Sequence, residues 1–143
     1  MEITRNPESV MQDLCRAIVE QAPDAVIYAD LTGAIRIWNS AAESIFGYAA
    51  AEVLGANLDI IIPERFRSAH WTGYQKAMAT GMLRHSGRTL TTRSIHEDGR
   101  TLYLDLSFGL IKDPTGVVLG ALAIGRDVTE RHPSRSGKDR RDT

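Results

Sequence analysis

The chain has 143 residues, 43% of them hydrophobic, and a formal net charge of −1. That is enough chain for one domain with a buried core, and the balanced charge excludes a global bias toward nucleic acid or a membrane surface. The single cysteine, Cys15, excludes an intramolecular disulfide and a thiolate metal cluster. No apolar run reaches transmembrane length, and the opening MEITRNPESV has no signal-peptide apolar core, so a cytoplasmic protein is expected.

The segment NPESVMQDLCRAIVEQAP predicts a helix. Val10, Met11, Leu14, Ile18 and Val19 recur at helical spacing, Glu8 and Ser9 are suitable starters, and Pro23 closes the run. Residues 1–22 are thus expected to form a helix that caps a sheet or pairs with a second copy. DAVIYADLTGAIRIWN reads as a hairpin turning at Asp30-Leu31-Thr32-Gly33. SAAESIFGY opens on a capping-box pair, Ser40 and Glu43, and Gly47 ends that helix. A short helix in AAAEVLG closes at Gly55. Pro63 suits the first position of the next helix and Gly81 its left-handed end. Three strand-like runs follow, broken at Asp98-Gly99 and at Asp113-Pro114-Thr115-Gly116. The polar tail, residues 132–143, is expected to be disordered.

Strands grouped apart from helices indicate an antiparallel α+β domain over residues 23–131, not a parallel βαβ sheet. Five strands are expected near 24–30, 34–38, 88–97, 101–111 and 117–127, packed on helices at 40–46, 50–54 and 64–80. Alternation and helical spacing select Val26, Ile27, Ile35, Ile37, Ile45, Phe46, Leu54, Leu104, Leu106, Leu122 and Ile124 as the core. There is no phosphate-binding loop, nucleophile elbow or zinc-protease motif, so an enzyme is not expected.

DAVIYADLTGAIRIWNSAAESIFGY, AEVLGANL, IIPERFR, HEDGRTLYLDLS and the exit GRDVTER together resemble a PAS domain across about residues 20–131. The resemblance implies the PAS fold and a sensory or signalling role, with a homodimer and a separate signalling effector protein as partners. It leaves the ligand open, because PAS domains bind heme, flavins, small metabolites or nothing, and fold alone does not assign function. GANLDIIIPERFR lacks the cysteine that photoadduct-forming flavin PAS proteins require, which leaves non-covalent FAD, with Trp38 as a flanking ring or simply a core residue.

On a helical projection Phe66, Ala69, His70, Gly73 and Ala77 share one side of residues 64–80. A lone histidine on an apolar face is ordinarily structural, but neutral imidazole is also a good heme-iron ligand. The stretch RSAHWTGY is similar to the proximal-histidine stretch of heme-binding PAS sensors: Arg67, then His70, then Tyr74. That resemblance implies heme b held through His70, with Gly73 and Ala77 admitting the macrocycle. Leu90, Leu104, Leu106, Phe108 and Ile124 would then be apolar walls, and Lys76, with Arg65 or Arg84, the basic rim for propionates. Two positions depart from the oxygen-sensing pattern: Lys76 replaces a propionate-binding arginine, and Leu90 replaces an arginine that donates to bound oxygen. Arg88 stands near enough to substitute, or is a solvated edge charge, and His85 is a sixth ligand or an exposed loop residue. A heme protein with these residues is expected to respond to a diatomic gas (CO, NO or O2) or to redox state, with CO, NO or redox favoured over stable oxygen sensing. The alternatives are a heme-free domain binding a metabolite or flavin, and an interaction module that only dimerises.

Overall fold

The computed structural model describes residues 6–84 and 87–132. Its elements follow the order α1 (Pro7–Gln21), β1 (Ala25–Asp30), β2 (Ile35–Trp38), α2 (Ser40–Phe46), α3 (Ala50–Val53), a 3-10 turn (Leu58–Ile61), α4 (Glu64–Thr80), β3 (Thr89–Ile95), β4 (Thr101–Lys112) and β5 (Val118–Asp127). A second 3-10 turn, Thr129–Arg131, follows the last strand. The five strands form one antiparallel sheet in the order β2-β1-β5-β4-β3. No helix among the described residues is long and apolar enough to cross a membrane.

Register divides the side chains between two faces, since alternate residues of a strand point oppositely. Ile27 pairs with Ala123, which pairs with Phe108, while Leu90 pairs with Leu106. This face carries the main core: Ile27, Leu102, Leu104 and Leu106 cluster with Phe46, Val53 and Ile61 from the connecting helices. The opposite face carries Val26 beside Ile124 and Tyr28 beside both Leu122 and Ile37.

That division corrects the expected core. Ile37 and Ile124 lie on the second face and remain 37% and 38% exposed. Leu122 shares their face and is half-buried. Simple alternation does not reveal which parity faces the helices. Leu54 is 50% exposed because α3 ends at Val53 and the chain turns toward Gly55.

Side chains set the turns. Asp30 Oδ1 accepts from the Thr32 N–H (2.9 Å), the Thr32 hydroxyl (2.7 Å) and the Ala34 N–H (3.1 Å). Asp113 repeats this with Thr115 and Val117. Asp127 takes the N–H and hydroxyl of Thr129 in the same way. The sequence pattern Asp-x-Thr is therefore one local device used three times, a side chain satisfying a tight turn.

The start of α2 differs from the expected capping box. Asn39, 1% exposed, is the cap: its carbonyl oxygen accepts from the N–H of Ala42 (3.1 Å) and of Val26 (2.9 Å). Its amide donates to the carbonyls of Val19 (2.9 Å) and Asp24 (3.0 Å), tying α1, β1 and α2 at one point. Ser40 instead donates to the Glu20 carbonyl, and Glu43 accepts from the Ala50 N–H. α1 likewise starts from Asn6, whose side chain accepts from the Ser9 N–H.

No residue of α1 is buried, and Val10, Met11, Leu14 and Ile18 are 47–59% exposed. A groove of about 680 Å³ runs beside this helix across the second sheet face, between Val19 and Ala22 on one side and Tyr28, Leu119 and Ile124 on the other. The tail expected to be disordered lies outside the described residues from 133 onward.

Candidate functional site

The site is built on α4, whose first turn is bolted to the preceding 3-10 turn. The Arg67 guanidinium donates to the carbonyls of Ile62 and Asp59, both at 3.0 Å. In its middle, α4 meets the β1–β2 hairpin. The Tyr74 hydroxyl donates to the Asp30 carbonyl (2.6 Å) and lies 3.2 Å from that of Ala29. Trp71 lies against Gly33, and its indole N–H donates to Asp59 Oδ1 at 2.6 Å. At its end Gly81 takes the left-handed conformation, φ 71°, and approaches Val118 and Lys112 of the β4–β5 hairpin.

His70 is held inside this frame. Its ring meets Trp71 edge to face, with centroids 4.6 Å apart, and is tilted against Tyr74 at 5.7 Å. Its Nδ1 is buried and has no hydrogen-bond partner among the described residues. Burial pushes its pKa below the ordinary histidine value, while the nearby charge of Asp59 pulls the other way. The neutral imidazole is the form that binds a metal. A buried nitrogen left unpaired costs roughly 1–3 kcal/mol, and a bond to a ligand removes that cost.

The other expected site residues divide. Leu90, Leu104, Leu106 and Phe108 share the core-bearing sheet face. Leu104, however, is 1% exposed and committed to the core cluster. Ile124 is on the opposite face, so it is not a wall with them, because β5 presents Ala121, Ala123 and Gly125 there instead. Tyr74 spends its hydroxyl on the hairpin carbonyls, and burial raises its pKa to about 12. Lys76, Arg65 and Arg84, the residues expected as a rim, are exposed, and so is Arg88, the expected alternative donor. Gly73 and Ala69 are exposed too, and a Cβ added at Gly73 meets nothing. Ala77 is the buried residue of α4, and Phe66, Arg67, His70, Trp71 and Tyr74 are half-buried beside it. Gly73 lies outside that face and is not the close-approach position expected from the projection.

Trp38 is 3% exposed, packs on Phe46 at 5.1 Å and donates its indole N–H to the Tyr48 carbonyl. It is a core residue. His85 lies outside the described residues. Among the described residues no group of three or more His, Cys, Asp or Glu gathers as a metal cluster, so His70 stands as a single donor. Sequence reading missed Trp71 and Asp59, whose pairing spans twelve residues. The available signal was the aromatic directly beside His70, but the projection placed it off the apolar centre.

The PAS fold family model matches residues 13–128. An uncharacterized protein of Azorhizobium caulinodans is 31% identical over 126 residues, 87% of this chain and 17% of that protein. The sensor protein FixL of Bradyrhizobium diazoefficiens is 32% identical over 128 residues, 85% of this chain and 24% of FixL. The chain thus spans between a sixth and a quarter of the length of these curated relatives. Among solved structures, a PAS domain from Colwellia psychrerythraea superposes with a TM-score of 0.71 at 23% identity, over 85% of this chain and 99% of that one. An RNA-binding light-oxygen-voltage receptor superposes with a TM-score of 0.67 at 25% identity, over 92% of this chain and 37% of that one.

Proposed function

The chain belongs to the PAS family, and from that premise we propose that it is a sensory module whose His70 holds heme b and which reports CO, NO or redox state. The observation that carries this reading is the buried Nδ1 of His70, without a hydrogen-bond partner among the described residues, on a ring whose neutral form burial favours. Trp71 and Tyr74 fix that ring, and Leu90, Leu106 and Phe108 supply apolar surface on the core-bearing sheet face. Similarity to the FixL sensor protein over 85% of the chain supports the sensory part of this reading. Heme iron, when bound, supplies an open coordination position for a diatomic gas and a reversible one-electron couple. This chain's residues would orient the imidazole, exclude water with leucine and phenylalanine, and pair propionates with Lys76 and Arg65 or Arg84. Leu90 offers no hydrogen-bond donor, which disfavours retention of oxygen relative to CO or NO.

The likeness to a light-oxygen-voltage receptor keeps FAD, or a small metabolite, as the second reading. The partners in either case are a second copy of the chain and a separate signalling effector. The exposed stripe of α1 and the groove beside it favour the second copy.

The deciding experiment is an absorbance scan of protein purified after heme supplementation, paired with mass spectrometry of whatever co-purifies. A Soret band lost in His70→Ala supports the reading. A flavin or metabolite with no Soret band overturns it and promotes the second.

A further inference from the structure

A row of stacked side chains joins the first turn of α4 to the segment leaving the sheet. Phe66 lies one helical turn before His70. Arg93 of β3 places its guanidinium carbon 5.8 Å from the Phe66 ring centre and 5.4 Å from that of Tyr103 on β4. Arg65 sits over the same Phe66 ring at 5.0 Å. His132, just past the last 3-10 turn, lies flat on Tyr103, with centroids 3.7 Å apart and planes 4° from parallel.

The sheet holds the middle of this row still. Tyr103 is 4% exposed, its carbonyl accepts from the Val128 N–H at 2.8 Å, and its N–H donates to the Thr129 hydroxyl at 2.9 Å. That hydroxyl in turn donates to Asp127. The main chain of Tyr103 therefore anchors the exit turn while its ring carries His132. Arg93 belongs to β3, an edge strand paired on one side alone, so its side chain can reach round the sheet edge to α4. A guanidinium plane between two rings is held by cation–π attraction, which depends on its position over both.

We infer that Arg93 couples α4 to the exit of the domain, so that a displacement of the helix carrying His70 reaches His132 through Phe66, Arg93 and Tyr103. The link holds whichever ligand α4 serves, so it stands apart from the heme reading. Coupling along such a row is read as an interaction energy between positions.

The test uses the full chain with ¹³C-labelled histidine, at one fixed pH. The His132 ring resonance is assigned by its loss in His132→Gln. Phe66→Leu is introduced to disturb α4, first alone and then with Arg93→Met. Phe66→Leu is expected to shift the His132 resonance in the otherwise native chain, and the shift should shrink severalfold when Arg93 is methionine. Arg93→Lys, which keeps charge but not the plane, should give an intermediate response and serves if the methionine variant does not fold. An unchanged response in both Arg93 variants, or none to Phe66→Leu at the start, overturns the inference.

Discussion

Trp71 of α4 lies so close over Gly33 of the β1–β2 turn that a Cβ at Gly33 would stand 2.1 Å from the indole Cη2. Gly33 also has φ +85°, the left-handed region that an L side chain resists. Helix and hairpin are thus in contact where a hydrogen atom is all that fits, and the same indole is pinned to Asp59. Gly33→Ala is expected to lower stability by about 1–3 kcal/mol, from crowding and backbone strain together. A urea titration followed by tryptophan fluorescence measures this. An unchanged midpoint would mean that α4 is free to retreat from the hairpin.

Two neighbouring groups predict opposite ends of the pH profile. Asp30 is held well below the usual carboxylate range, first by the Thr32 hydroxyl and then by Arg36, whose Nε donates to Oδ2 at 2.8 Å. A carboxyl with a folded pKa below its unfolded value of 3.8 stabilises the fold above that pH and loses the contribution as pH falls through the folded value. Tyr74 is the reverse case. Burial, aided by the charge of Asp30, raises it from 10.0 to about 12, so its contribution is complete below pH 10 and is lost as pH rises toward 12. Tyr74→Phe should therefore flatten the alkaline limb of a stability–pH curve and cost about 1 kcal/mol at neutrality for the lost hydrogen bond. Asp30→Ala should flatten the acid limb. If each variant merely lowers the whole curve without changing its slope, the two groups do not titrate as their surroundings dictate.

Most of the fold was legible because its signals are local. Glycine-containing clusters marked the turns, and α4 runs over Glu64–Thr80 and closes at Gly81 as expected, although Pro63 is its N-cap and not its first residue. The β strands fell within one residue of expectation at each end, except that β3 stops two residues early, at Ile95, where His96 begins the Asp98-Gly99 turn. What local pattern could not supply was the third dimension. Ile124 and Leu104 both read as inward strand residues, yet register sends them to opposite faces. Asn39 sits beside a serine that looks like a cap, but its amide also closes bonds to Val19 and Asp24 far along the chain. His70 was legible as a residue type on a helix. That its Nδ1 is buried and unpaired depends on Trp71, Tyr74 and the hairpin, which only the folded chain brings together.

The α1 stripe predicts association. Val10, Met11, Leu14 and Ile18 each stand about half exposed, and full burial of such a side chain contributes roughly 1.5–3 kcal/mol. A twofold axis placing one protomer's stripe near its partner's groove would cover both apolar surfaces at once. Wild-type protein is expected to sediment as a dimer, and deletion of residues 1–20 or Leu14→Asp should shift it to monomer or to aggregates. Sedimentation that stays monomeric in the wild type, with α1 intact, counts against this.

The final prediction concerns what His70 holds. If the chain takes up heme, His70→Ala should lose the native Soret spectrum, and added imidazole should partly restore it by filling the space the side chain leaves. Rescue separates a ligand from a residue that merely supports the fold, since a structural loss is not repaired by a free ring. Leu90 supplies the second half of the prediction. It shares the core-bearing face with Leu106 and cannot donate a hydrogen bond. Ferrous protein exposed to air should therefore turn ferric quickly, while CO-treated protein should keep a stable spectrum. Leu90→Arg should slow the oxidation by offering a donor where the native chain has none. Exposed Arg88, just before β3, is the nearest natural alternative. A wild-type ferrous protein that stays oxygenated for hours, and loses that persistence in Arg88→Ala, would move the donor role to Arg88 and leave Leu90 as packing.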